Sequence, residues 1–520
     1  MAKPGVRFAE ALRFLRKLNN GGVVGIHTTE IPNRYYRQIL LKNGFLRTVT
    51  KGWYIAVHPD EKENECTAWY SGYWEFCAKF LNHKYGDDWC LSANQSLLLH
   101  AGSRLIPRQL MVDTSRGNNL PTTLLHNTSV FNRRALMPSA EQIGTENGIR
   151  MYTLPSALVY CSSGIYVTNA LDVRTALSLI KDSSEILTVL LENGHSTLAG
   201  RLAGAFRNIK RHEIADQIMT AFMRAGYDVR ENDPFKTKPE IRLPAAQRSP
   251  YVNRIRLMWS GMRGIILKDF GETPGIPDHY QEYMKGVDEL YITDAYHSLS
   301  LAGYRVTPEL LAKVSDGGWI GKRNGNVGKR RNAVAARGYY LAFRRVNKTI
   351  VAILNGSNAG YQTGIDHSEW YRALFDPGVT AGLCKASDLA GYRHHPVYIG
   401  QSNVMPINAD AMGEVMPVLF GLLFEEPEAC VRAVLGHFIF ELIHPYMEGN
   451  GRMGRLLMNT MLASGGYPWT VIPVAMKTAY RQSLERARTE KDIRSFSKLV
   501  ASLVNQSMRG KAVAVPSVLK

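Results

Sequence analysis

Apolar residues recur at helical spacing near the start of the chain, from Ala9 to Leu18. GGVVGIHTTEI follows as a short β-like run after a turn. PNRYYRQILLKNG predicts a second helix, opened by Pro32 and closed by Gly44. FLRTVTKGWYIAV predicts two short strands about Lys51-Gly52. Thr67–His83 reads as an aromatic-rich helix. WCLSANQSLLLHAG, QLMVDTS and MYTLPSALVY then alternate strand-like and helical runs, and residues 165–235 read as consecutive helices stopped at Gly194 and Gly226. A polar, proline-marked stretch, Glu231–Tyr251, interrupts the pattern. Beyond it the chain predicts helices over Tyr291–Leu301, after Thr307-Pro308-Glu309, and over Asn332–Val346, Trp370–Phe375, Val431–Ile443 and Leu456–Leu462. Pro445 should end the Val431–Ile443 helix, because the residue before a proline resists αR geometry.

These elements predict a multidomain, mainly α protein, since 520 residues exceed what one core usually organises. With 45% hydrophobic and 21% charged residues, the composition is that of an ordered globular chain. No apolar run is long enough to cross a bilayer, so no membrane partner is expected. MAKPGVRFAEALRFLRKL is a basic amphipathic helix without a cleavage site, which predicts no secretory signal. The six cysteines (66, 77, 90, 161, 384 and 430) form no CxxC pair, against a zinc site or disulfide framework; a reduced, cytoplasmic setting is expected.

The net charge of +18 favours polyanionic partners. Residues 1–60 carry ten Lys/Arg against three Asp/Glu. The helix–strand pattern there suggests a winged helix-turn-helix, whose second helix would enter a DNA major groove. Arg34, Arg37 and Lys42, with Tyr35 and Gln38, would supply donors, and Lys51 would touch phosphate from the wing. A basic face that is merely solvated is the alternative. The glycine-rich basic stretch Asp316–Arg331 lacks P-loop spacing and reads as a loop. His100, after an apolar run, reads as a packed histidine.

The densest chemistry lies in HPYMEGNGRMGR, His444–Arg455, between two predicted helices. A helix N-terminus offers unpaired N–H groups and partial positive charge to phosphate. Gly449 and Gly451 let the backbone approach an oxygen closely. Arg452 and Arg455 lie three apart on one helix face and can pair with phosphate oxygens. Glu448 suits Mg²⁺, which binds through few carboxylates plus substrate phosphates. His444 can serve as general base near neutral pH. This inventory points to phosphoryl or nucleotidyl transfer.

The same stretch resembles the Fic family motif HPFx(D/E)GNGRxxR, with Tyr446 for Phe. LAGYRHHPVYIG (Leu389–Gly400), with Tyr392, Pro396, Val397 and Tyr398, looks like that family's β-hairpin flap, which aligns the target segment. The likeness runs over roughly residues 250–505. It implies transfer of AMP from ATP to a hydroxyl of a protein target, unidentified and possible on the chain itself, with release of pyrophosphate. By motif position, His444 would deprotonate the hydroxyl and Glu448 would hold Mg²⁺. Gly449, Asn450 and Gly451 would form the anion nest, with Asn450 on the α-phosphate. Arg452 would face the β-phosphate and Arg455 the γ-phosphate. Tyr480 stays open between an adenine contact and a core tyrosine. Many members carry an inhibitory helix, (S/T)xxxE(G/N), whose glutamate blocks the second arginine. Here HSLSLAGYRV keeps Ser298 and Gly303 but has Ala302 at the glutamate position, on a helix of about 291–302. That departure implies a free Arg455 and a transferase without self-inhibition. Transfer of UMP, phosphate or phosphocholine, or a DNA-binding regulator that senses nucleotide, are the alternatives.

Residues 1–235 resemble the AbiEi family of antitoxin and repressor proteins, through the winged-helix pattern, the GWYIAVHPDE turn and the helical part that follows. This implies binding to DNA, as in a toxin–antitoxin pair fused in one chain. A homodimer would match operator symmetry. The expected organisation is therefore a winged helix at 1–60, an α/β-to-helical AbiEi-like domain at 61–235, a linker at 236–250 and an all-α Fic domain at 251–510.

Overall fold

Asn33 opens the second helix of the chain: its Oδ1 accepts the Tyr36 N–H at 2.9 Å, and the helix runs Arg34–Lys42. The capping asparagine, rather than Pro32, therefore sets the start, because a side-chain acceptor satisfies an otherwise orphan N–H. In the computed structural model, residues 4–61, 65–192, 194–239, 249–318, 327–400 and 402–511 are described. The chain divides into two compact units: residues 1–254 with 398–405, and residues 255–397 with 406–520.

In the first unit, the Pro4–Asn20 and Arg34–Lys42 helices accompany a three-stranded antiparallel sheet. Trp53–Ala56 lies between Gly25–His27 and Leu46–Thr50. Alternating apolar side chains of sheet and helices close a small core of Ala11, Leu15, Ile26, Ile31, Leu40, Leu46 and Tyr54. Arg34 and Lys42 are exposed on the second helix and Lys51 at the strand turn, whereas Arg37 is half-buried and donates to Thr28 Oγ1 at 2.7 Å. The Thr67–Tyr85 helix then packs its aromatic residues with a four-stranded mixed sheet, in the order Cys90–Leu91, Gln109–Thr114, Ser129–Arg134, Pro121–Thr123. Helices from Leu154–Tyr160 to His212–Arg224 complete the unit around a separate apolar cluster. His100 is the packed histidine expected, its Nε2 2.8 Å from the Tyr152 carbonyl.

The second unit is helical. Thr307 Oγ1 accepts the Leu310 N–H, Pro308 occupies the first turn, and the helix runs Pro308–Ser315, as the sequence predicts. Residues 319–326 of the glycine-rich basic stretch lie outside the described residues. The Val327–Leu354 and Ala359–Thr380 helices pack so closely that a Cβ on Gly338 would stand 2.0 Å from the Leu374 carbonyl oxygen. That approach helps fix Leu374 and Phe375, which reach the motif. The Ala429–Ile443 and Asn450–Ala463 helices flank the motif loop.

The flap hairpin expected at Leu389–Gly400 does not form. A short 3₁₀ turn, Ala386–Leu389, leads into irregular chain. One arginine ties this segment to the end of the Ala429–Ile443 helix. Arg393 N–H donates to the Pro445 carbonyl (2.9 Å), and its guanidinium donates to the carbonyls of His444 (2.7 Å), His395 (3.1 Å) and Ile443 (3.3 Å). Tyr392 bonds to His367 (2.8 Å), Pro396 is exposed and Val397 is buried. Tyr398 begins the 398–405 segment of the first unit and packs there against an apolar cluster; the Ile106 N–H donates to the Asn403 carbonyl and the Met405 N–H to the Arg104 carbonyl.

Candidate functional site

The Ala429–Ile443 helix ends where His444 turns into the left-handed region, φ 54° and ψ 60°, ahead of Pro445. Its N–H still bonds to the Phe440 carbonyl at 2.9 Å. Five residues on, Gly449 takes φ 83° and caps the next helix. Glycine is required there twice over. The backbone is left-handed, and an added Cβ would meet the Phe375 ring at 2.8 Å. Met453 N–H makes an early helical bond, to the Gly449 carbonyl (3.0 Å), so the N–H groups of Asn450, Gly451 and Arg452 sit at the open helix end.

The loop between these helices is shaped by Asn450. Its Oδ1 accepts the Tyr446 N–H (3.0 Å) and its Nδ2 donates to the Tyr446 carbonyl (2.7 Å). These two bonds make the side chain a brace of the loop, and one N–H of the amide is left over. Tyr446 is buried, its ring stacked on Tyr371 at 3.7 Å and 7°. Glu448 is exposed and makes no hydrogen bond or ion pair among the described residues.

The two arginines differ sharply. Arg452 is 3% exposed, yet among the described residues it has neither a hydrogen bond nor an ion pair, and its Nε is buried without a partner. Its guanidinium lies between two rings, 5.1 Å from the Tyr304 centroid and 5.0 Å from that of Phe375. Burial lowers its pKa, and Glu448 acts on it from beyond ion-pair distance. Arg455 is not free, contrary to the expectation drawn from Ala302. Its Nε donates to Ser298 Oγ and its Nη2 to the Ser298 carbonyl, both at 2.9 Å. Residue 302 carries no carboxylate, but the serine one helical turn earlier takes the guanidinium instead. Ala302 itself is exposed at the C-cap of the Tyr291–Leu301 helix.

Behind the loop is a buried polar cluster. Glu441, one helical turn before His444, pairs with Arg488 (3.2 Å) and lies 4.0 Å from His444 Nδ1. Burial alone would raise its carboxyl; His444, Arg488, His437 and Arg455 outweigh that and hold it below the usual range. Burial pushes the His444 imidazole down to about 4; Arg488 and Arg393 act the same way, and Glu441 opposes them. A neutral imidazole at pH 7 can accept a proton, and Glu441 can stabilise the imidazolium that forms. Tyr480 is a core tyrosine: buried, with its hydroxyl 2.8 Å from His437 Nε2. Sequence reasoning missed Glu441, Arg488, Arg393, Tyr304 and Phe375. Only Glu441 had a local signal, its i, i+3 spacing to His444; the others come from distant elements.

Residues 383–462 match the Fic/DOC family. This C-terminal Fic/DOC domain is also similar to curated proteins named "Protein adenylyltransferase Fic" from Drosophila grimshawi and Drosophila melanogaster. Each is 41% identical over 76 residues, 15% of this chain. The matched stretch spans about one sixth of the length of those relatives, 16% and 15%. Among solved structures, a Fic-1 fragment from C. elegans aligns with 66% of this chain and 96% of its own at TM-score 0.37 and 17% identity. A Fic-domain signalling protein from Bacteroides thetaiotaomicron aligns with 51% of this chain and 100% of its own, at TM-score 0.35 and 17% identity. Among the described residues no helix is long and apolar enough to cross a membrane.

The buried histidines of the second unit make its stability pH-dependent. Burial pushes His367, His437 and His444 each to about 4, from an ordinary value near 6.5. A depressed folded pKa means stability that is present above pH 6.5 and lost as pH falls towards 4. Each histidine contributes about 1.4 kcal/mol per pH unit in that window. Unfolding in denaturant should therefore show a loss of about 4 kcal/mol between pH 7.5 and 5.5. A His437→Gln variant should lose about one third less over the same interval.

Proposed function

We propose that the chain is a protein adenylyltransferase, moving AMP from Mg·ATP to a hydroxyl side chain of a protein target. One observation carries this reading: Arg452, a buried guanidinium with no hydrogen bond or ion pair among the described residues, stands beside a glycine-opened helix N-terminus. A buried, unpaired charge is costly and calls for an anionic ligand. In this reading the N–H groups at Asn450, Gly451 and Arg452 and the Arg452 guanidinium take the polyphosphate. Arg455 adds a second cation when it leaves Ser298. Neutral His444 accepts the proton of the attacking hydroxyl while Glu441 stabilises the imidazolium. The hydroxyl oxygen bonds to the α-phosphorus as the bond to the β-phosphate bridging oxygen breaks, and pyrophosphate leaves.

The donor set suits Mg²⁺ brought in by the nucleotide. Among the described residues no three His, Cys, Asp or Glu gather into a metal-holding cluster. Glu448, exposed and uncommitted, offers one carboxylate, the number such an ion needs when phosphates and water supply the rest. Bound there, it would neutralise phosphate charge.

Incubation with α-labelled and γ-labelled ATP tests the reading. Label on protein from the α-position alone supports AMP transfer. Label from the γ-position would indicate phosphate transfer, and label only from UTP would indicate UMP transfer. An Ala302→Glu variant should lower α-label incorporation about ten-fold. Residue 302 follows Ser298, the partner of Arg455, by one helical turn, and a carboxylate there would compete with phosphate for that guanidinium. Incorporation at the parental level would contradict this.

We also propose that the first sixty residues bind DNA. Exposed Arg34, Lys42 and Lys51 around a capped helix and a strand turn support it, with Arg37 held back by Thr28. Binding to duplex DNA should fall steeply with salt, because phosphate contacts release counterions. Deleting residues 1–60 should abolish it and leave AMP transfer intact. Unchanged DNA affinity in the deletion would overturn the assignment.

A further inference from the structure

The end of the Tyr291–Leu301 helix is closed by paired backbone bonds. Gly303, at φ 89°, donates to the Ser300 carbonyl and Tyr304 to the Leu299 carbonyl, both at 3.0 Å. This is the Schellman arrangement, which needs a left-handed residue at the position Gly303 holds. The turn fixes where the next side chain goes. The Tyr304 ring stacks against Arg452, and Arg331 lies over the same ring at 5.5 Å. Phe375, seated against Gly449, supplies the second ring.

We propose that Tyr304 is a positioning residue for polyphosphate binding and acts through Arg452. The inference rests on the nucleotide-binding reading above. With no hydrogen bond to the guanidinium among the described residues, packing is what fixes its plane. Two aromatic faces fix that plane and offset part of the desolvation by cation–π attraction, leaving its N–H edge for an anion. The motif therefore borrows both of its arginine holds from one helix end: Ser298 on Arg455 and Tyr304 on Arg452. The ligand class follows from the nucleotide-binding reading, in which Arg452 takes the β-phosphate: a nucleoside di- or triphosphate rather than a monophosphate.

The test is calorimetric titration of the full chain with Mg·ATP, Mg·ADP and AMP, using wild type, Tyr304→Phe, Tyr304→Leu and Tyr304→Ala. Tyr304→Phe keeps the ring and should bind all three within about two-fold of wild type. Tyr304→Ala should weaken ATP and ADP about ten-fold and leave AMP within two-fold. Tyr304→Leu, which fills space without a π-face, should fall between them for ATP. In transfer assays KM for ATP should rise in Tyr304→Ala with kcat nearly unchanged. The proposal is overturned if Tyr304→Ala binds ATP like wild type, or if AMP weakens as much as ATP, which would mark a merely structural role. Wild-type chain that binds none of the three nucleotides would instead remove the underlying reading, and this proposal with it.

Discussion

Replacing His444 with alanine is expected to slow AMP transfer by about 10²- to 10⁴-fold and to leave the Kd for Mg·ATP within about two-fold. The imidazole is already neutral well below pH 7, since burial holds it near 4. Its removal therefore takes away a proton acceptor and no positive charge at working pH. The groups proposed to take the phosphates lie at the other end of the loop, at the start of the Asn450–Ala463 helix. Position 444 is left-handed, and alanine there costs about 1 kcal/mol of backbone strain. A His444→Asn variant, whose residue tolerates that conformation, separates this cost from the chemical one. Both variants should lose transfer equally if the base is the missing part. Transfer that survives in either would show that another group accepts the proton.

Replacing Arg452 with methionine should have opposite effects on stability and binding. The free protein should become more stable by about 1–3 kcal/mol, because a buried charge without a counter-ion gives way to an apolar chain of similar length. Mg·ATP affinity should fall about 30- to 300-fold with loss of a charge-assisted contact. Denaturant unfolding without ligand and calorimetric titration with it read the two effects separately. A variant that lost stability would mean that the two rings hold Arg452 as part of the core. Such a trade of stability against ligand affinity is what a preorganised site costs the free protein.

Much of the second unit follows from local pattern. The helix over Val431–Ile443, its end at Pro445 and a second helix after the motif loop could be placed because apolar spacing, proline and glycine each act over a few residues. The same holds for the Thr307 cap and for the strands about Lys51-Gly52. What sequence did not disclose is long-range. The flap was expected as a hairpin from its resemblance, but Arg393 takes the carbonyls of His444 and Ile443 from about fifty residues away and holds the segment as irregular chain. Arg455 was expected free because residue 302 is alanine. Its actual partner, Ser298, lies 157 residues earlier and was visible only as a motif letter. Asn450 was assigned to phosphate, and the sequence did not show that its amide also braces the loop, on Tyr446. At Arg455 the residue type was read correctly and its partner was not, since a guanidinium can satisfy itself on any carbonyl that folding brings near.

AMP transfer by this chain is decided by intact-mass spectrometry of lysate proteins incubated with Mg·ATP and either wild-type chain or His444→Ala. A mass increase of one AMP on a protein hydroxyl, present with wild type and absent with the variant, is the predicted result. No increase with wild type, or an equal increase with both, would contradict it.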